Sequence, residues 1–349
     1  MLENNHEKKP KKYAGILAHP TSFPSPYGIG DLGKGAYRFI DFLANSGLNL
    51  WQVLPLGHTG FCDSPYQPFS AFAGQPLIID LDALKEYKLL SEDDFTDMPE
   101  WDPVHIDYGT LITFKTKLLK LAYERFTDPD YEDGLSTDEE QMAAFASFKK
   151  DSSWLADYSL FMAGKDFHEG MPWYMWEDSL KAPTKRQRTT WEKKLANEIG
   201  YYDFIQFLFH TQWMAIKEYA NEKNIRIVGD APIFLAWDSA DVWSHQELFM
   251  LDSKGYPTEV AGVPPDYFSE TGQLWGNPLY NWSKHTATGY EWWIERIKYQ
   301  LTLTDFLRID ISEDLTGTGL YLMAKKPPST ENGSPLPVST SSHSYRQIL

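Results

Sequence analysis

The hydrophobic positions along this chain change period several times, and each change predicts a helix or a strand. Tyr13-Ala-Gly-Ile-Leu-Ala18 is a short apolar run that leads into a proline-rich loop reaching Pro26. Ala36, Phe39, Ile40 and Leu43 then recur at helical spacing over residues 34–46, and Gly47 supplies the stop. The apolar run 48–56 reads as a buried strand, and 76–81 as a second candidate strand. A helix that runs into a strand across a short glycine turn suggests a parallel α/β architecture. From residue 82 to about 200 the pattern is mostly helical and acidic, with loops around 127–138 and 181–188. The alternation then resumes with a helix over 205–221, a strand over 225–230, a Trp-rich amphipathic helix over 289–300 and a strand over 303–310. Residues 1–12 and 311–349 show neither period, and the latter are rich in Ser, Thr and Pro.

Composition narrows the class of partner. A net charge of −17 repels phosphate backbones and anionic lipids, so nucleic acid and membranes are poor partners and a neutral substrate fits better. One cysteine, Cys62, excludes an internal disulfide and a Cys-rich metal site, in keeping with a cytoplasmic location. The first twelve residues lack the apolar core of a signal peptide, and no run of apolar residues is long enough to span a bilayer. Aromatic residues make up 15% of the chain, which allows for sugar-stacking platforms as well as a Trp-rich core.

Two of the expected strands end in an aspartate: Arg226-Ile-Val-Gly-Asp230 and Leu307-Arg-Ile-Asp310. In a (β/α)8 barrel the C-terminal strand ends form the active face, so these carboxylates would converge there. Retaining glycoside chemistry needs a carboxylate nucleophile and a second carboxylic acid that protonates the leaving oxygen. Arg308, two residues before Asp310, falls on the same side of the strand and would hold a carboxylate ionised and oriented. Taken alone, a strand-end Asp beside an Arg is more often a structural pair. Gly28-Ile-Gly-Asp-Leu-Gly33 fits the dinucleotide fingerprint but follows a proline-rich loop rather than a strand, which favours a tight turn. The nine histidines show no helical metal-binding pair; His19, His58 and His245 read as turn or core residues.

The chain also carries longer signatures in a fixed order. They are Asp63-Ser-Pro-Tyr-Gln67, Ser70-Ala-Phe-Ala-Gly74, Gly229-Asp-Ala-Pro-Ile-Phe234 and Asp238-Ser-Ala-Asp-Val-Trp243. Ala261-Gly-Val-Pro-Pro-Asp-Tyr-Phe268, Gly272-Gln-Leu-Trp-Gly-Asn-Pro-Leu-Tyr280 and Leu307-Arg-Ile-Asp310 complete the set. This set resembles the amylomaltase family, the 4-α-glucanotransferases of the α-amylase clan, over roughly residues 13–310. The resemblance implies an α/β fold of the (β/α)8 TIM-barrel type, with about the first half present and a helical insertion. Residues 13–81 would open the barrel, 82–200 form the insertion, and 201–310 continue the barrel to the nucleophile strand. It implies Asp310 as nucleophile with Arg308 beside it, and Tyr66 and Asp230 as donor-side sugar contacts. Gln273, Trp275 and Asn277 would line the cleft and Asp266 its substrate-facing rim. The substrates implied are maltooligosaccharides or starch-derived glucans, with no cofactor and no metal.

After Asp310 the family pattern reads H-F-R-G, whereas this chain continues Ile-Ser-Glu-Asp. Loss of one nucleotide after the Asp310 codon would account for the change. Residues 311–319 can be encoded ATT-TCA-GAG-GAC-TTG-ACC-GGT-ACT-GGG, a string that with one base restored at the front regroups to read H-F-R-G-L-D-R-Y-W. The expectation is therefore a truncated chain with an out-of-frame tail, and DNA sequencing around codon 311 tests it. The family's acid/base glutamate and its transition-state aspartate lie downstream of the nucleophile and have no counterpart here. Loss of the general acid costs roughly 10²–10⁴ in rate, so this chain is expected to be inactive, and its open half barrel prone to aggregation. Two other functions stay open: a non-catalytic glucan-binding fragment and an α-glucan hydrolase.

Overall fold

Short apolar runs set between amphipathic helices can be covered on both faces only in a parallel sheet, and the computed structural model of the protein contains that sheet. It describes residues 12–131, 139–263, 265 and 270–310. The strands are β1 (Gly15–Leu17), β2 (Leu50–Gln52), β3 (Arg226–Pro232), β4 (Val260–Val263), β5 (Gln273–Pro278) and β6 (Phe306–Asp310). The first five helices are α1 (Lys34–Asn45), α2 (Leu81–Glu86), α3 (Tyr108–Thr127), α4 (Glu139–Asp151) and α5 (Leu155–Phe167). They are followed by α6 (Asp178–Lys181), α7 (Lys185–Lys194), α8 (Ala196–Glu222), α9 (Ala240–Ser244), α10 (Trp282–Ala287) and α11 (Glu291–Leu303). β1, β2, β3 and β6 pair in that order and all in parallel, while β4 and β5 form a separate antiparallel pair. Helical crossovers between successive parallel strands make this an arc of a (β/α)8 barrel, as expected.

The core forms where the helices meet the sheet. Trp51, fully buried on β2, packs its ring 5.8 Å from that of Trp213 on α8 and 5.6 Å from Phe39 on α1. Both indoles also tie backbone: Trp51 Nε1 donates to Ala18 O beyond β1, and Trp213 Nε1 to Leu303 O at the end of α11. One side chain therefore fills volume and fixes a neighbouring chain segment together.

Two sequence expectations need correction. Residues 76–81 are not a strand: Pro76–Ile78 is a single 3₁₀ turn, and Leu81 already begins α2. Pro76 suits the first position of a turn, the Gln75 side chain accepts from Leu77 N, and the Asp80 carboxylate caps α2 by accepting from Asp82 N. Lys115 on α3, wholly buried, donates to Leu77 O at 2.7 Å and Ile79 O at 3.0 Å, carbonyls that a sheet ladder would otherwise have used. The helix expected to start at 205 starts at Ala196 and runs through Gly200, where the Tyr123 hydroxyl lies 2.0 Å from the position a Cβ would take. The tails expected at 1–12 (Lys12 apart) and 311–349, and Asp266 on the rim, lie outside the described residues. Among the described residues, no helix is long and apolar enough to cross a membrane.

Candidate active site

Parallel register sets the first contact. β3 and β6 pair so that Asp230 stands beside Arg308, and Pro232 beside Asp310. The adjacent side chains meet as a two-pronged ion pair: Arg308 Nε donates to Asp230 Oδ1 and Nη2 to Oδ2, each at 2.9 Å. The Asp230 side chain is wholly buried and that of Arg308 is 47% exposed, so the guanidinium closes the carboxylate off from solvent while facing solvent itself. Tyr66 Oη donates to the same Oδ2 at 2.9 Å. A carboxylate that accepts from a fork and a phenol is held in one orientation. Arg308 and Asp310 lie two apart on β6 and share one side of the strand; the Asp310 side chain is outside what the structure describes.

Tyr66 reaches Asp230 because its loop is pinned at its base. Isolated bridges join Gly57 to Gly74 and Thr59 to Pro68. Gln206 on α8 grips Gly74 from both sides, its Oε1 accepting from Gly74 N and its Nε2 donating to Gly74 O. Asp241 on α9 accepts from Ala71 N at 2.8 Å and, being buried, has its carboxyl pushed above the usual range. Beyond Asp230, the buried guanidinium of Arg296 on α11 donates to the carbonyls of Pro232 and Ile233, and Tyr280 Oη donates to Ile233 O.

The β4–β5 pair supplies the second wall. Gln67 Nε2 donates to Asn277 Oδ1 at 3.0 Å, and Asn277 Nδ2 donates to Leu235 O at 2.7 Å. Asn277 is buried, so its amide joins the Tyr66 loop to β5. Gln273 is exposed and Trp275 half-buried, the Trp275 indole N–H donating to Gln273 Oε1 at 3.1 Å. These two present polar groups and an aromatic ring outward, as a sugar-facing wall needs. Asp230, Arg308 and Tyr66 therefore meet in one contact, Gln273, Trp275 and Asn277 share the strand beside it, and Asp266 is not placed.

A family model described as 4-alpha-glucanotransferase matches residues 18–311. The chain belongs to this family. The 4-alpha-glucanotransferase of Synechocystis sp. is 46% identical over 301 residues, covering 86% of this chain and 58% of its own length. That of Thermus thermophilus is 47% identical over 297 residues, with 85% and 57% covered. Among solved structures, the amylomaltase from Streptococcus agalactiae in complex with acarbose aligns with a TM-score of 0.81 at 38% identity, over 87% of this chain and 60% of that one. The chain thus spans less than two thirds of the length of these 4-alpha-glucanotransferases.

The glucanotransferase signatures also contain supports that sequence reasoning left without a role. Asp241 lies inside the Asp238-Ser-Ala-Asp-Val-Trp243 motif, and Gln67 closes Asp63-Ser-Pro-Tyr-Gln67, yet neither position shows alone that it ties two loops. Arg296 and Gln206 sit on helices among other polar residues and carry no local signal. The glycine motif serves as a turn: Gly28 has φ +78°, and a Cβ on Gly30 would stand 2.1 Å from Pro20 O. Burial lowers the imidazoles of His19 and His58 to about 4. Among the described residues, no group of His, Cys, Asp and Glu could hold a metal ion.

Proposed function

We propose that this chain carries the donor-side half of a retaining 4-α-glucanotransferase site, acting on maltooligosaccharides or starch-derived glucans. One observation supports it above the others: Asp230, Arg308 and Tyr66 interlock at the C-terminal ends of adjacent parallel strands, the face where barrel enzymes hold their chemistry. In this reading the Asp310 carboxylate attacks the anomeric carbon, a general acid from the remainder of the full-length site protonates the leaving glycosidic oxygen, and the 4-hydroxyl of a second sugar, giving its proton to that same group, displaces the enzyme from the covalent intermediate. Arg308 orients the nucleophile strand and secures Asp230, which with Tyr66 contacts sugar hydroxyls. Trp275 stacks on a glucosyl ring, Gln273 and Asn277 fix the wall around it, and Asp266 belongs to the rim. Residues 82–200 act as an insertion that braces the Tyr66 loop, and the single cysteine suits the cytosol.

The test is product analysis on maltotriose, with the chain alone and with the chain extended to the full length of its relatives. Glucose together with products longer than maltotriose supports transfer. Exclusively shorter products indicate hydrolysis instead. Maltooligosaccharide binding without turnover in both forms reduces the chain to a glucan-binding module.

A further inference from the structure

Outside the cleft, a cavity of about 210 Å³ opens between the start of α5, α9 and the start of α11. It has room for several waters, the scale of one sugar unit rather than of a glucan chain. One wall is aromatic. Phe72 stacks against Trp154 at 6.0 Å and meets the edge of Trp292 at 6.1 Å, and all three rings line the space. The rest is polar, with the carboxylates of Asp157, Asp241 and Glu295, the imidazole of His245 and the hydroxyls of Ser153 and Ser244.

The balance of charge selects the class of ligand. Arg188 Nη1 donates to Asp157 at 2.5 Å. Asp241 accepts from Ala71 N, and its burial pushes the carboxyl above the usual range and so disfavours the anion. Asp157 is paired with Arg188, which Glu192 shares, and burial disfavours the Asp241 anion, so the lining offers acceptors with a weakened negative field. Acceptors around an apolar ring face suit a neutral polyol, whose hydroxyls donate while its C–H face covers the aromatic wall.

We infer that this cavity is an accessory binding site for a single pyranose unit of a neutral sugar, separate from the Asp230–Arg308 cleft. The inference rests on the glucan-acting reading for its choice of sugar. The site shares the Ser70–Phe72 segment with the cleft: Asp241 holds Ala71 from the cavity side, and Gln300 Nε2 donates to Ala71 O at 2.9 Å.

The experiment is hydrogen exchange on the 349-residue chain titrated with maltose, with choline as the cationic control. Maltose is expected to protect amides in 153–158 and 240–245 as well as those around Trp275. Ser153→Trp, which fills the mouth, and Glu295→Ala, which removes its exposed carboxylate, are expected to raise the maltose needed for the first protection by about tenfold or more, leaving the second unchanged. Trp275→Ala should do the reverse. Protection confined to the Trp275 region, indifference of the 153–158 signal to both mouth variants, or equal protection by choline overturns the accessory site alone. Absence of protection everywhere overturns it together with the glucan-acting reading.

Discussion

The two walls of the cleft are built on different principles. On the β3–β6 side, Asp230 and Arg308 are register neighbours in a buried parallel sheet, and their contact follows from backbone pairing that many other residues enforce. On the β4–β5 side, a two-stranded pair carries Gln273 and Trp275 outward, anchored through Asn277 to Gln67 and Leu235. The first wall is rigid because its buried carboxylate has lost solvent and must keep its partners. The second keeps exposed groups that can adapt to a ligand, at the cost of depending on a few hydrogen bonds. In the proposed function, fixed chemistry and adjustable recognition would thereby be divided between separate pieces of sheet.

The comparison breaks most visibly at Arg308. Arg308→Ala leaves the buried Asp230 carboxylate with the Tyr66 hydroxyl but without its charge partner, whereas Asp230→Asn leaves a half-exposed guanidinium that water can reach. Denaturant titration should show a loss of about 3 kcal/mol for the first and clearly less for the second. Equal losses would mean that burial does not set the asymmetry. Asn277→Ala, which unties β5 from the Tyr66 loop, should cost about 1–2 kcal/mol and weaken maltooligosaccharide binding, since the loop and the wall then move independently. Trp275→Ala should leave stability within about 0.5 kcal/mol while lowering affinity about tenfold, as calorimetric titration with maltotriose would show.

Acid sharpens the contrast further. His19 and His58 hold pKa values of about 4 in the folded chain against 6.5 ordinarily, because burial disfavours the imidazolium. Protons therefore bind the unfolded chain first, and stability present above pH 6.5 drains away as the pH falls towards 4. His58 ties the base of the Tyr66 loop to α5 through Nδ1, 2.8 Å from the Tyr158 hydroxyl. His58→Gln should flatten part of the loss of denaturation midpoint between pH 6.5 and 4, and an unchanged slope would remove His58 from the account.

Much of this was legible in the sequence because local chemistry and tertiary role coincide there. Two strand-end aspartates, a period-two spacing of Arg308 and Asp310, and a long ordered motif set pointed to one face of a barrel. What could not be read lies in long-range pairing. The fork of Arg308 on Asp230 of the neighbouring strand is a contact decided by sheet register, which no local pattern announces. The run 76–81 looked like a strand because Leu77, Ile78 and Ile79 are buried, and burial alone does not tell a strand from a packed turn. The cue was present in Pro76 and Asp80, a turn starter and a helix cap. Lys115 and Arg296 resemble surface cations in the sequence, and only the fold shows that each serves buried carbonyls.

In the proposed function a glucosyl unit bonds to Asp310. A glucosyl fluoride bearing a second fluorine at C5 tests it directly, because fluoride leaves without a proton donor while the second fluorine slows release of the intermediate. Peptide mass spectrometry of the treated chain should find the fluoroglucosyl adduct on the peptide containing Asp310, and Asp310→Asn should abolish it. An adduct on Asp230 or any other carboxylate, or labelling that survives Asp310→Asn, would contradict the account.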